Sequence, residues 1–221
     1  MPNYVHHTYE GGGIAIWHIT ETADELYALL GTHRYDAQLA EKKNESRRAE
    51  WLAVRLLVKE LFGSEAEVAY HPTGRPYLKN STIHISISHT KGFAAVAYHH
   101  RAPLGMDIEY LSSRVERIAS RFTTRSEASY IDRHDESVRQ MYHLINWSAK
   151  ETLYKLFDSP SMAEFKEAFH IAPYTLSESG TLSTTICDTD STSAEEVVEV
   201  GYQVYPDFVC TFAVRELGVG C

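Results

Sequence analysis

Leu104-Gly105-Met106-Asp107-Ile108-Glu109 sets apolar residues on every second position and a glycine and two acids on the others. Read as a strand, it sends Leu104, Met106 and Ile108 to one face and Gly105, Asp107 and Glu109 to the opposite one, because side chains alternate with period two. Farther along, Trp147-Ser148-Ala149-Lys150-Glu151-Thr152-Leu153-Tyr154-Lys155 reads as a helix that places Glu151 and Lys155 one turn apart. Three converging carboxylates can hold a hard divalent cation such as Mg²⁺, and a neighbouring ammonium can neutralise a phosphate. The combination points to phosphoryl-type chemistry. Taken singly, the acids could be a solvated strand edge, and Glu151 with Lys155 a surface pair worth about 0.3–0.5 kcal/mol. Gly105 argues against the bland reading, since a strand glycine marks a place where a ligand or another backbone comes close.

Outward from these stretches, helices and strands alternate. Ile14–Ile19 reads as a strand, Thr22-Ala23-Asp24-Glu25 as a capping box, and Gly31 as the stop of the helix it opens. A longer helix is predicted from Ser46 to Phe62, with Trp51, Val54, Val58 and Leu61 as its core stripe and Gly63 as its stop. Arg48, Arg55 and Lys59 fall within roughly 20° of one line along that helix and form a candidate cation cluster. Thr73-Gly74-Arg75-Pro76 is turn chemistry. Ile83–Ser88 and Phe93–Tyr98 read as strands joined by Thr90-Lys91-Gly92. Helical pattern is predicted at Val115–Phe122, near Glu127, and from Ser137 to Phe157; edge strands and loops at Ser177–Ala194; closing strands at Val197–Tyr205 and Phe208–Val214. Arg101-Ala102-Pro103 is the expected boundary between halves spanning 1–102 and 103–221. The fold class is α+β, two α/β halves.

The 221 residues suffice to bury a core, and 43% hydrophobic with 23% charged residues is an ordinary globular composition. A net charge of −9 argues against general nucleic-acid binding, so an anionic ligand needs a local group of cations. No apolar run approaches the roughly 20 residues of a membrane span. The start of the chain has no basic segment followed by an apolar one, so no secretory leader is expected. Cys187, Cys210 and Cys221 are too few and scattered for a disulfide framework or zinc knuckle and read as reduced residues of a cytoplasmic protein. The histidines, including His6-His7 and His99-His100, lack His-Glu-x-x-His spacing and read as surface residues. Ile85-Ser86-Ile87-Ser88-His89-Thr90 leaves hydroxyls and an imidazole at a strand end, without the Gly-x-Ser-x-Gly elbow of a hydrolase.

The order of these stretches is more telling than any one of them. Gly74-Arg75-Pro76, then Ser86 to Thr90, then Gly105-Met106-Asp107-Ile108-Glu109, then Trp147 to Lys155 resembles the 4′-phosphopantetheinyl transferases. It looks most like their larger, surfactin-type branch, whose single chain forms a pseudo-dimer of two similar halves. The resemblance implies that Asp107, Glu109 and Glu151 bind Mg²⁺ with the pyrophosphate of coenzyme A, the substrate, and that Lys155 contacts the phosphates. It further implies coenzyme A contacts from Arg75, Ser88, His89, Arg48, Arg55 and Asp107, with His89 near the 3′-phosphate. Glu151 and Lys155 would be catalytic, and Glu127, after Arg121-Phe122, would help to activate the acceptor. That acceptor would be a serine of an acyl or peptidyl carrier protein; neither nucleic acid nor membrane is an expected partner, and the chain would act as a monomer. Two departures stand out. The family's Phe-Asn-x-Ser-His-Ser is here Ile85-Ser86-Ile87-Ser88-His89-Thr90, and Arg75 replaces a common Lys, gaining a bidentate fork. The alternatives are a non-catalytic module that binds coenzyme A or a carrier protein, and an unrelated Mg²⁺-dependent nuclease or phosphatase.

Overall fold

The computed structural model describes residues 4–158, 165–187 and 196–215. Its contacts divide the chain into two units, Met1–Ala102 and Pro103–Cys221. Both mix helices with antiparallel sheets.

In the first unit, β1 (Tyr4–Tyr9) and β2 (Gly12–His18) form a hairpin. Helices α1 (Ala23–Leu30), α2 (Asp36–Ala40) and α3 (Glu45–Phe62) follow, then a small ribbon of β3 (Val68–Tyr70) and β4 (Pro76–Leu78), and a second hairpin of β5 (His84–Thr90) and β6 (Phe93–His99). The hairpins join through β2 and β6 into a sheet ordered β1-β2-β6-β5. Gly92, at φ +77°, makes the tight turn between β5 and β6, a backbone state that costs glycine nothing. Thr22 and Glu25 close a capping box on α1, and Asn44 caps α3 by accepting from Arg47 N. Leu52, Leu57 and Val58 of α3 pack with Leu26, Trp17 and Val96 in one core, so the helix lies on the sheet. Sequence patterning did not reveal β1. It is an edge strand whose inner four residues are all exposed, so it carries no apolar alternation.

In the second unit, β7 (Leu104–Tyr110) leads through a 3-10 turn (Glu116–Arg121) and α4 (Arg125–Ile131) to the long α5 (Glu136–Phe157). After α6 (Phe165–Ala168) come β8 (Phe169–Ile171), β9 (Ser179–Ile186), β10 (Glu196–Val204) and β11 (Phe208–Val214) in a sheet ordered β7-β11-β10-β9-β8. Leu144, Leu153 and Leu156 of α5 share a core with Val200, Val209 and Ala213. The Ser/Thr-rich stretch expected at an edge instead places β9 between β10 and β8, with Leu182 and Thr184 buried. Its remaining residues, 188–194, lie outside the described ones, as does Cys221. Val115–Phe122, read as helical, is mostly that 3-10 turn.

Gly105 fixes how closely α5 approaches β7. A Cβ there would sit 2.0 Å from Thr152 O, so any larger side chain would push the helix off the strand. The close approach foreseen at this glycine is therefore made by a backbone. Among the described residues, no helix is long and apolar enough to cross a membrane.

Candidate active site

With α5 pressed onto β7, alternation along the strand turns Asp107 toward the helix. Lys155 Nζ donates to Asp107 Oδ1 at 2.8 Å and to Met106 O at 3.1 Å, while Ser148 Oγ donates to Asp107 Oδ2 at 2.9 Å. Two residues along, Glu109 Oε1 accepts from Trp147 Nε1 at 2.8 Å. Trp147, Ser148, Glu151 and Lys155 recur at the spacing of one helical face, and Glu151 lies between the groups that hold Asp107 and Glu109 in chain order.

The charges on this face act on one another. Burial, and then the Asp107 carboxylate, push Glu151 up to about 7; Glu109 adds to the rise and Lys155 opposes it. Burial and Asp107 likewise raise Glu109, against the pull of its bond from Trp147. Two carboxylates whose charge is disfavoured beside a third are the donor types that a hard, oxygen-seeking cation prefers. In the structure Lys155, Ser148 and Trp147 hold the oxygens of Asp107 and Glu109, and among the described residues no group of three or more His, Cys, Asp or Glu stands in a ligating array. The chemistry of the set fits Mg²⁺.

Glu127 occupies a different environment. Its Oε2 accepts from Thr124 N at 2.7 Å and from Lys150 Nζ at 3.0 Å, and its Oε1 from Ile171 N at 2.9 Å. Lys150 also donates to Phe122 O and Lys166 O, and both side chains of the pair are sealed, at 0% and 2% exposure. None of these bonds reaches Asp107, Glu109 or Glu151. The carboxylate caps α4 and ties β8 and the 3-10 segment to α5, the geometry of a cross-link.

In the first unit, the line of Arg48, Arg55 and Lys59 does not form one open cation cluster. Arg48 faces Asp24 at 3.6 Å and Glu45 at 3.7 Å. Lys59 donates to Leu29 O and Leu30 O at the end of α1. Arg55, 4% exposed, stacks on Trp51 at 3.6 Å with Tyr35 and Tyr70 near by, and donates to Trp51 O and Tyr70 OH. Its Nε is buried without a partner, and burial lowers its pKa. Helical spacing aligned these residues, but α1 and the β3–β4 ribbon give each a separate neighbour. The cation of α3 that reaches the Ser-His strand is Arg47, one residue off the line. Its Nη1 lies 3.4 Å from His89 Nδ1 and 3.2 Å from Glu50 Oε2, and Glu50 Oε2 lies 3.3 Å from the same histidine nitrogen. Ser88 is buried on β5, next to half-exposed His89. Arg75 sits in the turn between β3 and β4, its carbonyl accepting from His71 N, and its charge helps to lower His84.

Sequence reasoning quoted Ser148 and Trp147 without a role and did not single out Thr211. Thr211 interrupts the otherwise apolar Phe208-Val209-Cys210-Thr211-Phe212-Ala213-Val214, and a lone hydroxyl in such a strand is the signal for it. Cys210, beside it, is a reduced thiol that burial pushes up to about 12, and so stays protonated; neither it nor Cys187 is in a disulfide.

The family model described as ACPS, the 4′-phosphopantetheinyl transferase superfamily, matches residues 103–213, which span β7, α5 and β11. A search of curated proteins finds no match to the chain.

Proposed function

Because the chain belongs to the 4′-phosphopantetheinyl transferase superfamily, we propose that it transfers 4′-phosphopantetheine from coenzyme A to a serine of an acyl or peptidyl carrier protein in a Mg²⁺-dependent reaction, releasing 3′,5′-ADP. The superfamily carries out phosphopantetheinyl transfer in general, with coenzyme A as donor. The observation that supports the finer reading is the face shared by β7 and α5, where Asp107 and Glu109 raise Glu151 and Lys155 pairs with Asp107.

Asp107, Glu109 and Glu151 would hold Mg²⁺, which when bound draws charge from the diphosphate oxygens. The serine oxygen forms a bond to the phosphorus that bears pantetheine while the bond from that phosphorus to the departing nucleotide breaks. Glu151, or a water it holds, takes the serine proton. Lys155 stands 2.8 Å from Asp107 and supplies positive charge for the phosphate oxygens. The coenzyme A contacts assigned by resemblance to Arg48, Arg55, Arg75, Ser88 and His89 belong to the same proposal, and the enclosure of Arg55 makes it the weakest of them. So do membership of the surfactin-type branch, a pseudo-dimeric arrangement of the two units, a monomeric state and a cytoplasmic location.

The test is direct. Purified protein incubated with an apo-carrier protein, coenzyme A and Mg²⁺ should add the phosphopantetheine mass to the carrier. Carriers of fatty-acid, polyketide and peptide assembly that all stay unmodified would contradict the reading.

A further inference from the structure

Behind Asp107 lies a chain of three hydroxyls that neither the metal nor coenzyme A is expected to touch. Ser148 Oγ stands 2.9 Å from Asp107 Oδ2 and 2.9 Å from Thr211 Oγ1. Thr211 Oγ1 stands 2.7 Å from Thr152 Oγ1, which also lies 3.1 Å from Thr211 O. All three residues are fully buried at 0% exposure. Thr211 is the direct antiparallel partner of Asp107 between β11 and β7, and Ser148 and Thr152 are one turn apart on α5. The chain therefore spans every element that shapes this face.

Proton counting gives it a direction. An ionised carboxylate only accepts, so the one proton of Ser148 goes to Asp107. The bond between Ser148 and Thr211 then needs the proton of Thr211, while Thr152 donates to Thr211 O, which can only accept, and shares that proton with Thr211 Oγ1. Thr211 and Ser148 thus donate in turn toward the acid, and such chains strengthen one another in a dry interior. With Lys155 on Oδ1 and this chain on Oδ2, Asp107 is held at both oxygens.

We propose that Thr211 is a positioning residue which, through Ser148, fixes the rotamer of Asp107 and so sets the affinity of the carboxylate face for a divalent cation. This rests on the functional reading above. Groups that orient a ligating carboxylate from behind typically alter metal affinity by about tenfold or more when removed.

The experiment compares the parent with Thr211→Val, which keeps the shape and removes the hydroxyl, and with Thr211→Ser, which restores it. Mn²⁺ binding is measured by calorimetry on the protein alone, alongside the Mg²⁺ dependence of transfer. Thr211→Val should weaken Mn²⁺ binding by about tenfold and raise the Mg²⁺ requirement correspondingly, with the KM for carrier protein unchanged; Thr211→Ser should bring both back toward the parent. If Thr211→Val does not fold, Ser148→Ala carries the same expectation. Parent-like Mn²⁺ binding in a folded Thr211→Val, or equal weakening by Val and Ser, overturns the proposal and leaves the transferase reading standing. A parent that neither binds Mn²⁺ nor modifies a carrier overturns both.

Discussion

Lys150 and Lys155 leave the same helix five residues apart, and each meets a carboxylate at hydrogen-bond distance, yet the two pairs live in different media. Lys150 and Glu127 are sealed, and Lys150 completes its shell with two backbone carbonyls. Lys155 is 27% exposed and its partner Asp107 6%, at the edge of a face with two further acids. Five residues turn the helix through about 140°, which sends one lysine inward and leaves the other at the rim. Burial lowers the pKa of Lys150 while Glu127 opposes it, so the pair has no spare charge to offer a ligand. The rim pair does. A lysine paired with a carboxylate thus holds the unit together in one place and lies at an accessible rim in the other.

The largest expected effect breaks the sealed pair. Lys150→Ala strands Glu127 in the interior and should cost about 3–5 kcal/mol of unfolding free energy, read by urea denaturation, whereas Lys155→Ala should leave stability within about 1 kcal/mol of the parent. Equal losses from both would erase the distinction between the pairs.

Next in size is the chemistry of the rim. Asp107→Asn keeps the shape and the bond from Ser148 but removes a charge, and Glu151→Ala removes a ligand and base. Each should lower the transfer rate by about 10²–10³-fold or more with the far-ultraviolet dichroism spectrum unchanged. Glu127→Gln should behave otherwise, lowering thermal stability more than the turnover of the folded fraction. A Glu127→Gln variant that is stable and inactive would return Glu127 to the chemistry.

Gly105→Ala probes what brings strand and helix together. Its Cβ cannot fit against Thr152 O, so α5 must shift, costing about 1–3 kcal/mol. Because the shift also moves Ser148, Glu151 and Lys155 relative to Asp107, activity should fall further than stability explains.

Much of this face is legible in the chain itself, and the reasons are local ones. Alternation over Leu104–Glu109 and the four-residue spacing of Glu151 and Lys155 are properties of a strand and a helix taken singly, and so are the capping box at Thr22 and the stop at Gly31. What escaped depends on packing between elements. The glycine signal at 105 was real, but period alone does not say whether the neighbour is a ligand or the backbone of α5. Arg48, Arg55 and Lys59 share a helical line, yet the elements laid over α3 decide that one is caged, one paired and one a cap. For Glu127 the sequence did hold a clue. Thr124-Arg125-Ser126-Glu127 carries the same signature as Thr22–Glu25 and marks its acid as a helix-start group. Strand β1 escaped because an exposed edge needs no apolar face.

The smallest effect concerns pH. Glu151 has its pKa raised to about 7 in the folded protein, above the ordinary carboxylate value. Below that ordinary value both states are protonated; as pH rises toward 7 the unfolded chain releases the proton first, so stability is lost over that interval and stays lost above it. Glu151→Gln should therefore stabilise the metal-free protein by about 1–2 kcal/mol near pH 8, less than the full shift corresponds to because the side chain is half-buried, and the gain should vanish below about pH 4.5. A gain that does not change with pH would place its origin elsewhere.

The most direct measurement is the anomalous scattering of Mn²⁺ in crystals grown with coenzyme A. A single strong peak bounded by oxygens of Asp107, Glu109 and Glu151, with Lys155 turned to a phosphate, is the expected result. A peak elsewhere, with Asp107 and Glu109 still held by Trp147, Ser148 and Lys155, would contradict the account.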